Sequence, residues 1–388
     1  MEKILTKTQI GVDKVNESKH NLDRQTDRQT DRQTDRQTDR QDSRIYLDVV
    51  KGVAIFLMLW GHCIQYCALN DFDFFENPVF KFIYSFHMPL FMLVSGYLFA
   101  FSCKKRNLSN LLIHRTQGLL QPIVMCTILN YFLTNVIAKR HFLNVFDAHW
   151  LSELGSLWFL WSVLSASIIV GIAFKTVFNP FLRGLIVCVG FVFVSLFPNA
   201  EMNIFMYPYF VMGFVFAFLK DRIPKFVINF KYISLIAFPI MLFFYSKKHY
   251  IYTTGLFDSE YDIASIIGID MYRWIIGLLG CIFVLVILQW FVFLAKKIRI
   301  LSIVTFATSS LGKKSLQVYC LSVSLLSFFL PKIYDSVCSR IGLNVFAQNM
   351  IFYNMVFTPL LAIIYSICLY YLVKLLDRIK VGKIIFGR

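Results

Sequence analysis

Charge is what this sequence has least of: Asp, Glu, Lys and Arg make up 16% of its 388 residues. A soluble domain carries about one-quarter charged residues, so a soluble fold is excluded. Acidic residues are scarcer than basic ones, 23 against 39, for a formal net charge of +16. That excess does not mark a nucleic-acid binder. The basic residues fall mostly in alternate short loops, the pattern that sets membrane orientation. No CxxC pair or neighbouring His/Cys group accompanies the nine cysteines, so no metal is expected. Cys63 and Cys67, a helical turn apart, read as buried thiols. The longest loops, near 140–155 and 247–271, are too short for a separate extracytoplasmic catalytic domain. A cleavable signal peptide is not expected, because the first forty residues are polar throughout.

What is there is apolar surface: 57% hydrophobic and 17% aromatic residues, with a mean hydropathy of +0.61. Residues 1–43 are a polar tail that cannot bury a core and is expected to be disordered. Residues 44–388 read as one all-α, polytopic integral membrane domain of about ten transmembrane helices. The spans fall near 47–69, 79–102, 116–138, 155–175, 181–198, 203–219, 227–246, 272–295, 314–331 and 350–373. Lys104, Lys105, Arg106, Arg115, Lys220, Lys296 and Lys297 cluster in loops on one side, while Asp71, Asp73, Glu76, Glu201 and Asp258 mark the other. Both termini are therefore predicted to be cytoplasmic.

The first span, RIYLDVVKGVAIFLMLWGH, is apolar enough to cross a membrane yet carries Arg44, Asp48, Lys51 and His62. At ~100° per residue, Arg44 and His62 share an azimuth, with Asp48 ~40° to one side and Lys51 ~20° to the other. Ionisable groups cost roughly 2.5–3.5 kcal/mol each at the bilayer centre, so this stripe should face protein or a water-filled cavity. His62 is expected ~6 Å outside the midplane, and His87 on the returning second span ~4–5 Å outside it. Pro89 should kink the second helix at that depth. A neutral imidazole is the usual general base near pH 7. Arg44, Lys51 and Arg115, gathered toward the cytoplasmic side, suit a phosphorylated donor. Lys51 lies ~16 Å along the helix from His62, a spacing that suits a long cofactor lying between them.

In these motifs the chain resembles the family-3 membrane acyltransferases, bacterial enzymes that O-acylate surface polysaccharides, with a fucose-4-O-acetyltransferase-like character. The matching pieces run in order: the first span, FHMPLFMLVSGYLF, HRTQGLLQP, LWFL, YPYFVMGFVF and LGKKSLQVY. The resemblance implies a multi-pass protein of the bacterial inner membrane. Its activity would be acetyl transfer from cytosolic acetyl-CoA to a sugar hydroxyl of a polysaccharide, a lipopolysaccharide or a lipid-linked sugar. It makes His62 the essential histidine, matches Arg44 and Asp48 to the family's N-terminal Arg/Asp pair, and puts Lys51 where Arg is more usual. His87 and Arg115 match the second and third motifs. The catalytic set is then His62, His87 and Asp48, and the donor-binding set Arg44, Lys51 and Arg115. Ser322 stands where family members often have a histidine. Direct transfer with His62 as base, and a covalent acyl-histidine, both remain open. Ser95, the backbone near Gly96 and Trp158 are oxyanion-donor candidates, and Trp158, Tyr207 and Tyr319 read first as packing aromatics.

Other readings are a polysaccharide exporter or flippase with the polar stripe as conduction path, a structural envelope subunit, and an O-succinyltransferase. A last feature sits in the tail, where DRQT repeats four times over 23–38. GAC AGA CAG ACA encodes that unit and is also three copies of GACA. A tetranucleotide tract read in triplets repeats every four residues, and strand slippage in it shifts the reading frame. The repeat is thus expected to switch the gene at random, with the peptide as passenger.

Overall fold

The structure is a computed structural model and describes residues 41–67, 73–137, 148–224, 228–256, 258, 260–323, 325 and 350–387. The tail repeat, Asp71 and most of the second half of the 314–331 span lie outside these residues. The chain divides into Met1–Leu47 and Asp48–Arg388. Every described element is helical, and the described residues contain no strand.

The helices are α1 (Gln41–Tyr66), α2 (Pro78–Lys105), α3 (Leu108–Ile137), α4 (Ala148–Ser156), α5 (Trp158–Thr176), α6 (Pro180–Val194) and α7 (Ala200–Leu219). They continue with α8 (Ser234–Phe243), α9 (Ile263–Ala295), α10 (Arg299–Lys313), α11 (315–323), α12 (Met350–Arg378) and α13 (Val381–Phe386). Among the described residues, α1, α2, α5, α7, α9 and α12 are long and apolar enough to cross a membrane. α3 reaches thirty residues, but His114, Arg115, Gln117, Gln121 and Asn130 interrupt it, and it is not one of the six. The expected spans at 181–198 and 227–246 become shorter apolar helices, Pro180–Val194 and Phe230–Phe243. Turn residues at Ser195–Pro198 stop the first of them early.

Helix starts follow local chemistry. Asn77 caps α2 by accepting the Val79 and Phe80 N–H groups, and Pro78 takes the first helical position, where its missing N–H costs nothing. Asn179 and Pro180 repeat the arrangement at α6. α2 continues through Pro89 as one helix.

Close packing then fixes the helix crossings. A Cβ on Gly96 would strike the Phe210 carbonyl, and one on Gly213 the Leu93 carbonyl, so α2 and α7 meet backbone to backbone. Gly52 and Gly312 do the same for α1 and α10. Small residues at such crossings are how membrane helices approach closely. Polar groups pin the rest: the Asn203 side chain accepts from Ser162 at 2.7 Å and donates to the Pro198 carbonyl at 2.9 Å. The Trp60 indole donates to Thr358 at 2.9 Å and the Tyr353 hydroxyl to the Ile64 carbonyl at 3.0 Å, joining α1 to α12.

Candidate active site

His62, in the last turns of α1, and His87, in the middle of α2, line one cavity of about 380 Å³. The sequence places both at similar depth, and the fold brings them to the same space. Tyr84 neighbours both, its ring 6.4 Å from that of His62 and 4.7 Å from that of His87. His62 is held on three sides. Its Nδ1 lies 3.1 Å from Gln65 Oε1 and 3.4 Å from the Tyr84 hydroxyl, and its ring stacks on Tyr66 at 5.7 Å. His87 is buried, and its Nδ1 donates to the Ile83 carbonyl at 2.9 Å. A carbonyl only accepts, so Nδ1 carries the proton and the neutral ring keeps Nε2 as its acceptor.

Aromatic side chains from distant segments make the walls. Trp158 begins α5, Tyr319 sits on α11, and Tyr252 comes from the loop after α8. Trp158 and Tyr319 thus face the cavity, whereas Tyr207 spends its hydroxyl on the Val187 carbonyl at 2.9 Å. Neither Ser95 nor Gly96 lines the cavity; Gly96 is used in the α2–α7 crossing. Ser322 donates to the Tyr319 carbonyl at 2.8 Å.

The loop bearing Tyr252 is strapped down by a residue the sequence reading passed over. Arg273 of α9 is 2% exposed, and its guanidinium reaches five oxygens. They are Asp270 Oδ1 at 2.7 Å and the carbonyls of Lys248 (2.9 Å), His249 (3.1 Å), Tyr250 (3.0 Å) and Thr254 (2.6 Å). A buried guanidinium is tolerated only when its fork is satisfied in this way. The loop's other side is tied to the short helix Phe74–Glu76, where Lys247 pairs with Asp73 at 2.8 Å and the Tyr250 hydroxyl donates to the Phe75 carbonyl at 3.0 Å. The Lys247 hydrogen bond holds the Asp73 carboxyl below its ordinary range.

Asp48, Lys51 and Arg115 are not among the residues that line the cavity. Asp48 pairs with Lys51 at 2.7 Å and contacts neither His62 nor His87. The Arg115 guanidinium stacks on the Phe99 ring at 4.7 Å. Arg44 is exposed in the opening turns of α1. Among the described residues no group of three His, Cys, Asp or Glu is arranged for a metal ion. Gln65 and Tyr84, three residues from His62 and His87, could have been found from helical spacing, since i and i+3 share a face. Tyr252 and Arg273 could not, because only the fold carries their segments to the cavity.

The family model for the acyltransferase domain matches residues 44–375. Over 182 residues the chain is 33% identical to nodulation protein NolL of Sinorhizobium fredii (strain NBRC 101917 / NGR234), covering 45% of this chain and 48% of that protein. It is 31% identical over 177 residues to nodulation protein NolL of Mesorhizobium japonicum (strain LMG 29417 / CECT 9101 / MAFF 303099), covering 44% and 47%. The chain spans about half the length of the curated relatives it matches. No solved structure matches it significantly. The family match runs through α1 to α12 and takes in every described residue of the cavity wall, so the chain belongs to the acyltransferase domain family.

Proposed function

We propose that this chain is a membrane O-acetyltransferase of the bacterial inner membrane. It moves an acetyl group from cytosolic acetyl-CoA to a sugar hydroxyl of a cell-surface polysaccharide or lipopolysaccharide. The observation that carries the reading is the single cavity lined by His62 and His87 from consecutive apolar helices. Its volume suits part of a sugar and an acyl group, and its aromatic walls suit the apolar faces of a sugar ring. When bound, the donor supplies a thioester carbonyl open to attack. His62 takes the proton of the acceptor hydroxyl, and His87, whose neutral ring can accept only on Nε2, orients the acceptor by accepting from a neighbouring hydroxyl of the same sugar. Arg44, Lys51 and Arg115 hold the CoA phosphates, with Asp48 as the Lys51 counter-ion until a phosphate replaces it. Ten spans with both termini cytoplasmic, and random switching through the tail repeat, belong to the same proposal.

His62→Ala tests it. The variant should insert at normal abundance and lose turnover by about 10²–10⁴-fold, the usual worth of a general base. Mass spectrometry should then find the glycan lighter by one acetyl group per modified unit, with wild-type complementation restoring it. Unchanged acetylation would sink the assignment. Loss of glycan export with normal acetyl content per chain would replace it with the transport reading, and a succinyl mass difference would rename the donor.

A further inference from the structure

We propose that Gln65 is the positioning residue for His62: its side-chain oxygen keeps the imidazole proton on Nδ1 and leaves Nε2 as the basic atom. This inference rests on the acyl-transfer reading of the cavity. Gln65 lies one turn beyond His62 on α1, and its Oε1 is 3.1 Å from His62 Nδ1. The Tyr84 hydroxyl closes a triangle, 3.4 Å from that oxygen and 3.4 Å from Nδ1. An amide oxygen only accepts. Nδ1–H therefore donates to Gln65, Tyr84 O–H donates to the same oxygen, and each donor in the triangle is used once. The Tyr66 stack holds the ring plane. With Nδ1 occupied, Nε2 carries the lone pair, in a cavity where Tyr66, Tyr84, His87, Tyr252 and Tyr319 are the other titratable walls.

The chemistry follows from that tautomer. Nε2 takes the proton of the acceptor hydroxyl as the new bond forms between its oxygen and the acyl carbon. The carbonyl pair moves onto the carbonyl oxygen and returns as the thioester C–S bond breaks. The departing sulfur keeps that bonding pair and collects the proton from Nε2. Nδ1–H stays on Gln65 throughout. A neutral amide orients the ring without adding the charge that would make it a stronger base.

Two variants and two readouts decide the matter. Gln65→Leu removes the acceptor and should lower kcat by about 100-fold, as a misplaced reacting group does. Gln65→Glu keeps an acceptor but adds charge. It should retain turnover at high pH and move the acid limb of the kcat/KM profile upward by about one unit or more. Nitrogen NMR of 15N-histidine-labelled protein in detergent, with His62 assigned by its loss in His62→Gln, should show one Nδ1–H tautomer in the wild type and a mixture in Gln65→Leu. Equal tautomers in both proteins, or an unmoved pH profile in Gln65→Glu, would overturn the role. The NMR result stands whether or not the wild type transfers an acyl group. A wild-type protein with the Nδ1–H tautomer and no transfer would remove the functional reading alone.

Discussion

His249 shows how one side chain can set the behaviour of the loop that carries Tyr252. Its Nδ1 accepts the Ser246 backbone N–H at 2.9 Å, its ring lies 4.3 Å from that of Tyr272, and its carbonyl takes a hydrogen bond from Arg273. Burial, then Lys248 and Arg273, push its pKa down to about 4 from an ordinary 6.5. The folded ring is therefore neutral where the unfolded one is charged. Between pH 6.5 and 4 the unfolded chain binds the extra proton, so stability falls as pH falls through that window, and no such loss occurs above it. Loop 246–256 should exchange its amide hydrogens faster at pH 5 than at pH 7, and His249→Gln should flatten the dependence. An identical pH dependence in wild type and variant would refute this. The histidine is plain in the sequence. Its neutral state is not, because that depends first on the burial the fold gives the ring, with Lys248 and Arg273 adding to it.

At the scale of elements, the α2–α7 crossing holds the wall that carries His87. A Cβ on Gly213 would meet the Leu93 carbonyl and the Tyr97 N–H, neither of which can swing away. Overpacking of this kind costs about 1–3 kcal/mol and sometimes more. Gly213→Val should lower the melting temperature in detergent and reduce acylation with it. Gly184→Val, where nothing lies within 4 Å of the added Cβ, should leave both close to wild type. Equal losses in the two variants would remove the packing argument. Helix starts at Asn77-Pro78 and Asn179-Pro180 are legible from the chain alone, because capping is local. The end of α6 is less so: the apolar run continues to residue 198, but turns after Val194 end the helix.

For the whole molecule, residues 1–43 are expected to contribute nothing to the activity. A chain shortened to begin at Ser43 should acylate its glycan as fully as the intact protein, measured by acetyl content per glycan at matched abundance. A drop of tenfold or more would give the tail a role in the protein. The gene decides the companion idea. Uniform GACA units across codons 23–38 would support random switching, and mixed synonymous codons would end it. Colonies from one clone should then divide into acetylated and unacetylated forms differing in repeat number.

Apolar run lengths, loop charges and the His62 and His87 motifs are written along the chain, because helix formation in a bilayer is local and every backbone group must be satisfied within its own segment. That is why the all-helical membrane class and the family could be read before any coordinates. Partnership between segments is not local. Tyr252 and Arg273 carry no motif, yet one walls the cavity and the other holds the loop that brings it there. The close approaches at Gly96 and Gly213 decide which helices touch. Only the tertiary structure could decide them, because each depends on the shape of a neighbour far away in sequence.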